Sequence, residues 1–136
     1  MSMGFDLKEF ATRYTAAWCS QNSASVAAFF SRHGSLTVND GAPSVGREAI
    51  AAAAQGFMTA FPDLKVMMDS ASSQGEQCIY RWTLQGHNTG SGGTGAFVRI
   101  SGYEEWRIGE DGLIAESQGH FDAGDYQRQL QKIADH

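Results

Sequence analysis

Apolar positions recur at helical spacing in the first half of the chain and alternate in the second half. Leu7, Phe10, Ala11, Tyr14, Ala17 and Trp18 form one stripe of an amphipathic helix, with Lys8, Glu9, Thr12 and Arg13 on its wet side. Asp6 and Glu9 stand at the spacing of a capping box. A second, short helix is predicted over SASVAAFFS, residues 23–31, capped by Ser23 or Ser25, with Val26, Phe29 and Phe30 facing inward. A strand, SLTVN (35–39), and a loop, DGAPSVG (40–46), lead to a third helix over REAIAAAAQGFMTAF (47–61). Its buried stripe is Ile50, Ala53, Ala54, Phe57 and Phe61. Pro62 ends it, because a proline disfavours helical backbone in the residue before it.

From residue 64 the signals are those of strands: LKVMMDSA, then CIYRWTLQGH, AFVRISGYEEWRI and LIAESQGHF. The turns between them are SSQGE, the glycine-rich NTGSGGTG, and GEDG with its Asp-Gly pair. DAGDYQRQLQKI (122–133) reads as a C-terminal helix with Asp122 as its N-cap. Helices followed by an antiparallel sheet make an α+β arrangement. The helices cover one sheet face, and the other is free for solvent or a partner subunit.

A length of 136 residues suits one domain spanning the chain. The composition, 42% hydrophobic and 18% charged, is that of a globular protein. A formal net charge of −5 and the lack of any basic stripe argue against a nucleic-acid partner. No apolar run approaches the roughly 20 residues needed to span a membrane. MSMGFDLKEF has no basic segment followed by an apolar one, so no secretory signal is expected and a cytoplasmic location is. Cys19 and Cys78 read as free thiols. His33, His87, His120 and His136 lack metal-ligand spacing, so no metal is expected. GSGGTG lacks the Lys-Ser/Thr ending of a phosphate loop and reads as a rim.

Alternation separates the candidate chemistry. On residues 96–108 one face is Ala96, Val98, Ile100, Gly102, Glu104, Trp106 and Ile108, apolar but for one carboxylate. Glu104 is therefore placed toward the helices, where burial would raise its pKa and suit it to acid–base work. The alternatives are a bulge that swings it outward, or an ion pair with Arg81 or Arg99. On the last strand Ser117, Gly119 and Phe121 share the small, apolar face, and Glu116, Gln118, His120 and Asp122 the polar one. His120 then points away from the helices unless a bulge reverses it. Tyr80, Trp82 and Leu84 share a face and read as core or interface.

The helix ending in AAW, then GREAI, FPDLKV, YRWTLQGHNTG and EEWRIGEDGLIAESQGHFD, in that order and spacing, resemble the SnoaL-like branch of the nuclear transport factor 2-like superfamily. The resemblance covers nearly the whole chain. It implies a cone-shaped α+β barrel: three helices on a strongly curved antiparallel sheet around an apolar pocket, often a homodimer through the sheet face. It implies no cofactor. Relatives include polyketide cyclases, ketosteroid isomerases, limonene-epoxide hydrolases and non-catalytic binding domains, so fold alone does not settle function. Compared with ketosteroid isomerases, Tyr14 matches a tyrosine that hydrogen-bonds an enolate oxygen, and Glu104 matches a protonated acid beside it. Their base falls at Val38, with Asp40 two residues on. Compared with the cyclases, the acid three residues before the strand-ending Asp122 is replaced by Gly119, next to His120.

Three functions follow as expectations. One is an enzyme moving a proton next to the carbonyl of a small apolar compound, as an isomerase or aldol cyclase. Glu104 would be its acid or base, Tyr14 its hydrogen-bond donor and His120 or Asp40 a second carrier. Trp18, Phe57, Phe61 and Trp106 would line the pocket, and Ser117 and Gly119 would make room for the ligand. The second is a binding module with the same pocket. The third is an interaction domain using Tyr103, Arg107, Gln118 and His120 on the sheet exterior.

Overall fold

The computed structural model describes residues 6–75, 77–90 and 92–131. Helices α1 (Leu7–Cys19), α2 (Ser23–Ala27) and α3 (Arg47–Ala60) precede most of the sheet. Its strands are β1 (Phe30–Val38), β2 (Ser44–Val45), β3 (Lys65–Gln74), β4 (Gln77–His87), β5 (Phe97–Ile108) and β6 (Ile114–Phe121), and α4 (Ala123–Leu130) closes the described chain. The helix starts have local causes. Asp6 accepts from the Glu9 amide at 3.1 Å, and Asp122 from the Asp125 amide at 2.9 Å. α2 is capped by Asn22, whose side chain accepts from the Ser25 amide, rather than by Ser23 or Ser25 themselves. The last two residues of the predicted C-terminal helix, 132 and 133, lie outside the described residues.

Several boundaries differ from the pattern-based expectation because strand pairing overrides local preference. β1 begins at Phe30, not Ser35, since Phe30 pairs with Ile114 and the Ile114 amide bonds the Phe29 carbonyl at 2.9 Å. Ser44 and Val45, read as loop, pair with Leu36 and Ser35. Ser72 and Ser73, read as turn, extend β3 by pairing with Ile79 and Cys78.

The strand order is β2-β1-β6-β5-β4-β3. The curved α+β sheet expected from the sequence is present, with two details the pattern did not give. β1 joins β6 in parallel, and the sheet is open, with β2 and β3 as its edges. Antiparallel neighbours are joined by short turns here, whereas β1 and β6 are separated by most of the chain and carry no hairpin constraint. α1 packs on β3 and α2, and α3 packs on β1 and α2, so one sheet face is covered. The core between them is dense in aromatic rings: Tyr80 stacks on Trp106 at 4.9 Å, and Tyr14 meets Trp106 edge-on at 5.1 Å.

The central rungs allow little added volume. A Cβ on Gly102 would press on the His120 carbonyl oxygen and come within 2.7 Å of Trp82 Cζ2. Gly102→Ala should therefore lower unfolding free energy by about 1–3 kcal/mol, the usual cost of overpacking. A urea midpoint unchanged from the parent protein would contradict this packing.

Candidate active site

The β5 pleat puts Glu104 and Trp106 on the same side of the sheet, and pairing brings Tyr80 and Gly119 level with Glu104 and Ser117 level with Trp106. Tyr14, on the inward stripe of α1, reaches the same point from above. The result is a carboxylate held by three neutral donors. Glu104 Oε1 accepts from Trp106 Nε1 at 2.7 Å, from Ser117 Oγ at 2.8 Å and from the Tyr14 hydroxyl at 3.1 Å. Oε2 has only the same Tyr14 hydroxyl, at 3.3 Å. One oxygen is anchored and the other is lightly held.

Glu104 is 7% exposed and Tyr14 is fully buried. Burial raises the Glu104 pKa above the ordinary 4.5, while the bonds from Trp106, Ser117 and Tyr14 hold it down. Burial and the neighbouring carboxylate push the Tyr14 hydroxyl well above its usual range. Tyr80 is also raised, mainly by burial, and its hydroxyl is bonded to Thr15 Oγ1.

Glu104 sits in the wall of a cavity with about 60 Å³ open to the centre of a water molecule. Trp18, Phe57 and Gly119, all expected from sequence, line it. Gly119 widens it: a Cβ there would stand 3.8 Å from Glu104 Cγ. Trp106 and Ser117 lie behind the lining and contribute through their bonds to Glu104. Phe61 is buried, with its ring 6.4 Å from that of Tyr126, outside the lining. Tyr14 likewise spends its hydroxyl on Glu104 and does not line the cavity.

His120 and Asp40 are not brought to this point. The regular β5–β6 register sets His120 beside Tyr103 on the opposite face. There His120 Nε2 bonds Glu105 Oε1 at 2.9 Å and its ring stacks on Tyr103 at 4.7 Å. Asp40 is exposed in the turn after β1, and it is Val38 that lines the cavity. Tyr103, Arg107, Gln118 and His120 do share the outer face, where Arg107 pairs with Glu116 at 3.6 Å. Tyr80, Trp82 and Phe121 line the cavity and were not singled out as lining. Their signal was the shared inward face of Tyr80 and Trp82, which alternation cannot divide into core and cavity.

Among the described residues no group of three or more His, Cys, Asp or Glu could hold a metal ion. Nor, among them, is any helix long and apolar enough to cross a membrane.

The family model for SnoaL-like polyketide cyclases matches residues 8–130. The chain belongs to that family. Solved structures show the same fold across a wide range of names. A hypothetical protein of ketosteroid isomerase-like fold from Catenulispora acidiphila, in complex with trimethylamine, superposes with a TM-score of 0.81 at 20% identity, over 96% of this SnoaL-like chain and 98% of that one. TsrD from Streptomyces laurentii gives 0.77 at 20% identity, over 91% and 93%. A phenazine biosynthesis-related protein from Pseudomonas aeruginosa gives 0.76 at 14% identity, over 95% and 87%. No curated protein matches this SnoaL-like sequence. The likeness to solved structures establishes the cone-shaped α+β fold of the superfamily, and function rests on the residues.

The raised Glu104 pKa fixes a sign for stability. The folded protein holds this proton more tightly than the unfolded chain, so the contribution is complete below 4.5 and is lost as pH rises through the raised value. Asp63, depressed by its bonds from His87, acts oppositely and below its ordinary 3.8, and its exposure makes the effect small. Unfolding free energy, measured by urea titration at pH steps above 4.5, should therefore decline with pH, and Glu104→Gln should remove that decline. Equal slopes in the two proteins would refute the buried titration.

Proposed function

We propose that this SnoaL-like protein transfers a proton on a small, mostly apolar carbonyl compound, with Glu104 as the acid–base group. The observation that supports this reading most is the asymmetry of a carboxylate on the lining of an otherwise apolar cavity: Oε1 is fixed by three donors, while Oε2 has only the Tyr14 hydroxyl at 3.3 Å. A raised pKa brings both protonation states closer to neutral pH, where general acid–base groups work best.

In this reading Oε2 takes a proton from the carbon next to the carbonyl. The C–H bond breaks, an O–H bond forms, and the electron pair passes into the enolate. The same carboxyl then returns the proton at another carbon, or the enolate carbon attacks a second carbonyl in the same molecule. The charge inside the cavity is constant throughout, because the enolate gains what the carboxylate loses. The apolar surroundings therefore add no new desolvation cost during the step. Tyr14, Trp106 and Ser117 are positioning residues that act through Oε1.

A second reading, a binding module without chemistry, is favoured by Gly119: it stands where the resemblance implies a further acid, and among the described residues Glu104 is the only carboxylate on the lining. Both readings are tested by following α-proton exchange of butanone and cyclopentanone in D₂O by NMR. The wild-type protein should accelerate exchange over buffer, and Glu104→Gln should reduce the protein-dependent rate by about 10²–10⁴-fold. A loss under about threefold would remove Glu104 from the chemistry. A ligand-dependent rise in melting temperature without any exchange would select the binding module.

A further inference from the structure

We propose that the Glu104 cavity also takes a small, fully alkylated ammonium ion, with the carboxylate answering the nitrogen's charge and the aromatic wall receiving its methyl groups. This rests on reading the cavity as a ligand site, and is independent of whether Glu104 transfers protons.

Glu104 is a buried carboxyl group without a cationic partner among the described residues. Among the described residues the ion pairs are His87–Asp63, Arg107–Glu116, His120–Glu105 and Arg128–Asp125, and none involves Glu104. Among the described residues no Lys, Arg or His lines the cavity. A buried carboxyl group is either matched by a cation or kept protonated, and here only neutral donors are present, all directed at Oε1 or shared from it.

The walls supply the rest of the recognition. Five aromatic residues line the cavity, Trp18, Phe57, Tyr80, Trp82 and Phe121. Cations are attracted to aromatic rings, most strongly when water is excluded. The remaining lining, including Leu36, Val66 and Ile100, offers no acceptor for N–H groups. A primary ammonium would leave its donors unsatisfied there, at the usual cost of burying unpaired polar groups. A nitrogen whose substituents are all alkyl has no such donors. The space, about 60 Å³, suits a compact ion stripped of its water rather than a hydrated one.

The groups facing Glu104 leave its charge state as the variable. They are Tyr14 from α1, Tyr80 from β4, Trp106 from β5 and Ser117 from β6. Both tyrosines are shifted upward and stay neutral near physiological pH. Cation binding needs the carboxylate and strengthens as pH rises through its titration. A neutral carbonyl ligand accepting a hydrogen bond from the protonated acid would weaken over the same range.

Isothermal titration of the full-length protein with tetramethylammonium chloride and with 2-methylpropan-2-ol, its neutral near-isostere, tests the proposal at matched ionic strength. The cation should bind about tenfold more tightly or better, its affinity should rise with pH, and Glu104→Gln should bring the two ligands to within about twofold. The pH series on the unaltered protein decides the matter even if that variant folds poorly. Equal affinities, a tighter alcohol, or a cation affinity that falls with pH would overturn the inference. Absence of binding by both would overturn it too, while the ketone exchange assay separately decides the acid–base reading.

Discussion

The burial of one carboxylate organises this protein. Glu104 lies on the sheet face that the helices cover, where an unpartnered ionised group would be strongly unfavourable. Its compensation comes from three elements: Tyr14 of α1, Trp106 of β5 itself and Ser117 of β6. Each donor is in place only if its element is in register. The same contacts therefore couple the seating of α1, the β5–β6 pairing and the shape of the cavity. The rings around them, Tyr14 edge-on to Trp106 and Tyr80 stacked on it, hold those donors by packing that does not depend on charge.

Register carries most of the specificity. Glu104 and Glu105 are identical side chains one position apart with opposite surroundings. The first is buried among neutral donors, and the second pairs with His120 on the outer face. A slip of one residue would exchange them. Eleven consecutive β4–β5 pairs, from Gln77 with Arg107 to His87 with Phe97, run without interruption through the Glu104 rung. The irregularities among the described pairings fall elsewhere, between Phe30 and Ser35, between Met68 and Ser70 and between Arg107 and Ile108. Gly102 contributes to this order, since its rung has no room for a side chain between Trp82 and Phe121.

This regularity explains how much could be read from the chain alone. Alternation along residues 96–108 and 113–121 places Glu104 inward and His120 outward, and the structure has the same arrangement because no bulge intervenes near either. The helix stripes and the caps at Asp6 and Asp122 were legible for the same reason, being local, although α2 is capped by Asn22 and not by Ser23 or Ser25. The parallel β1–β6 pairing, the early start of β1 at Phe30 and the small strand β2 were not, because each depends on a partner distant in sequence. The cavity lining was only half legible. Trp82 and Phe121 carry the same inward pattern as core residues, and what separates lining from core is where neighbouring side chains stop short, as they do at Gly119.

Gly119 stands beside Glu104 on the cavity lining, where it adds no second ionisable group. Two carboxylates facing one small cavity repel each other, so one tends to stay protonated and the pair shares its charge. Among the described residues Glu104 has no like-charged neighbour on the cavity lining, and its ionisation is set by burial against three neutral donors. In the proposed readings, the ligand supplies the positive charge that matches it or exchanges the proton with it. A glycine at 119 thus leaves a single carboxyl on the described lining, and a Cβ there would lie 3.8 Å from Glu104 Cγ, so its absence is part of the space in which a compact ligand would meet that group.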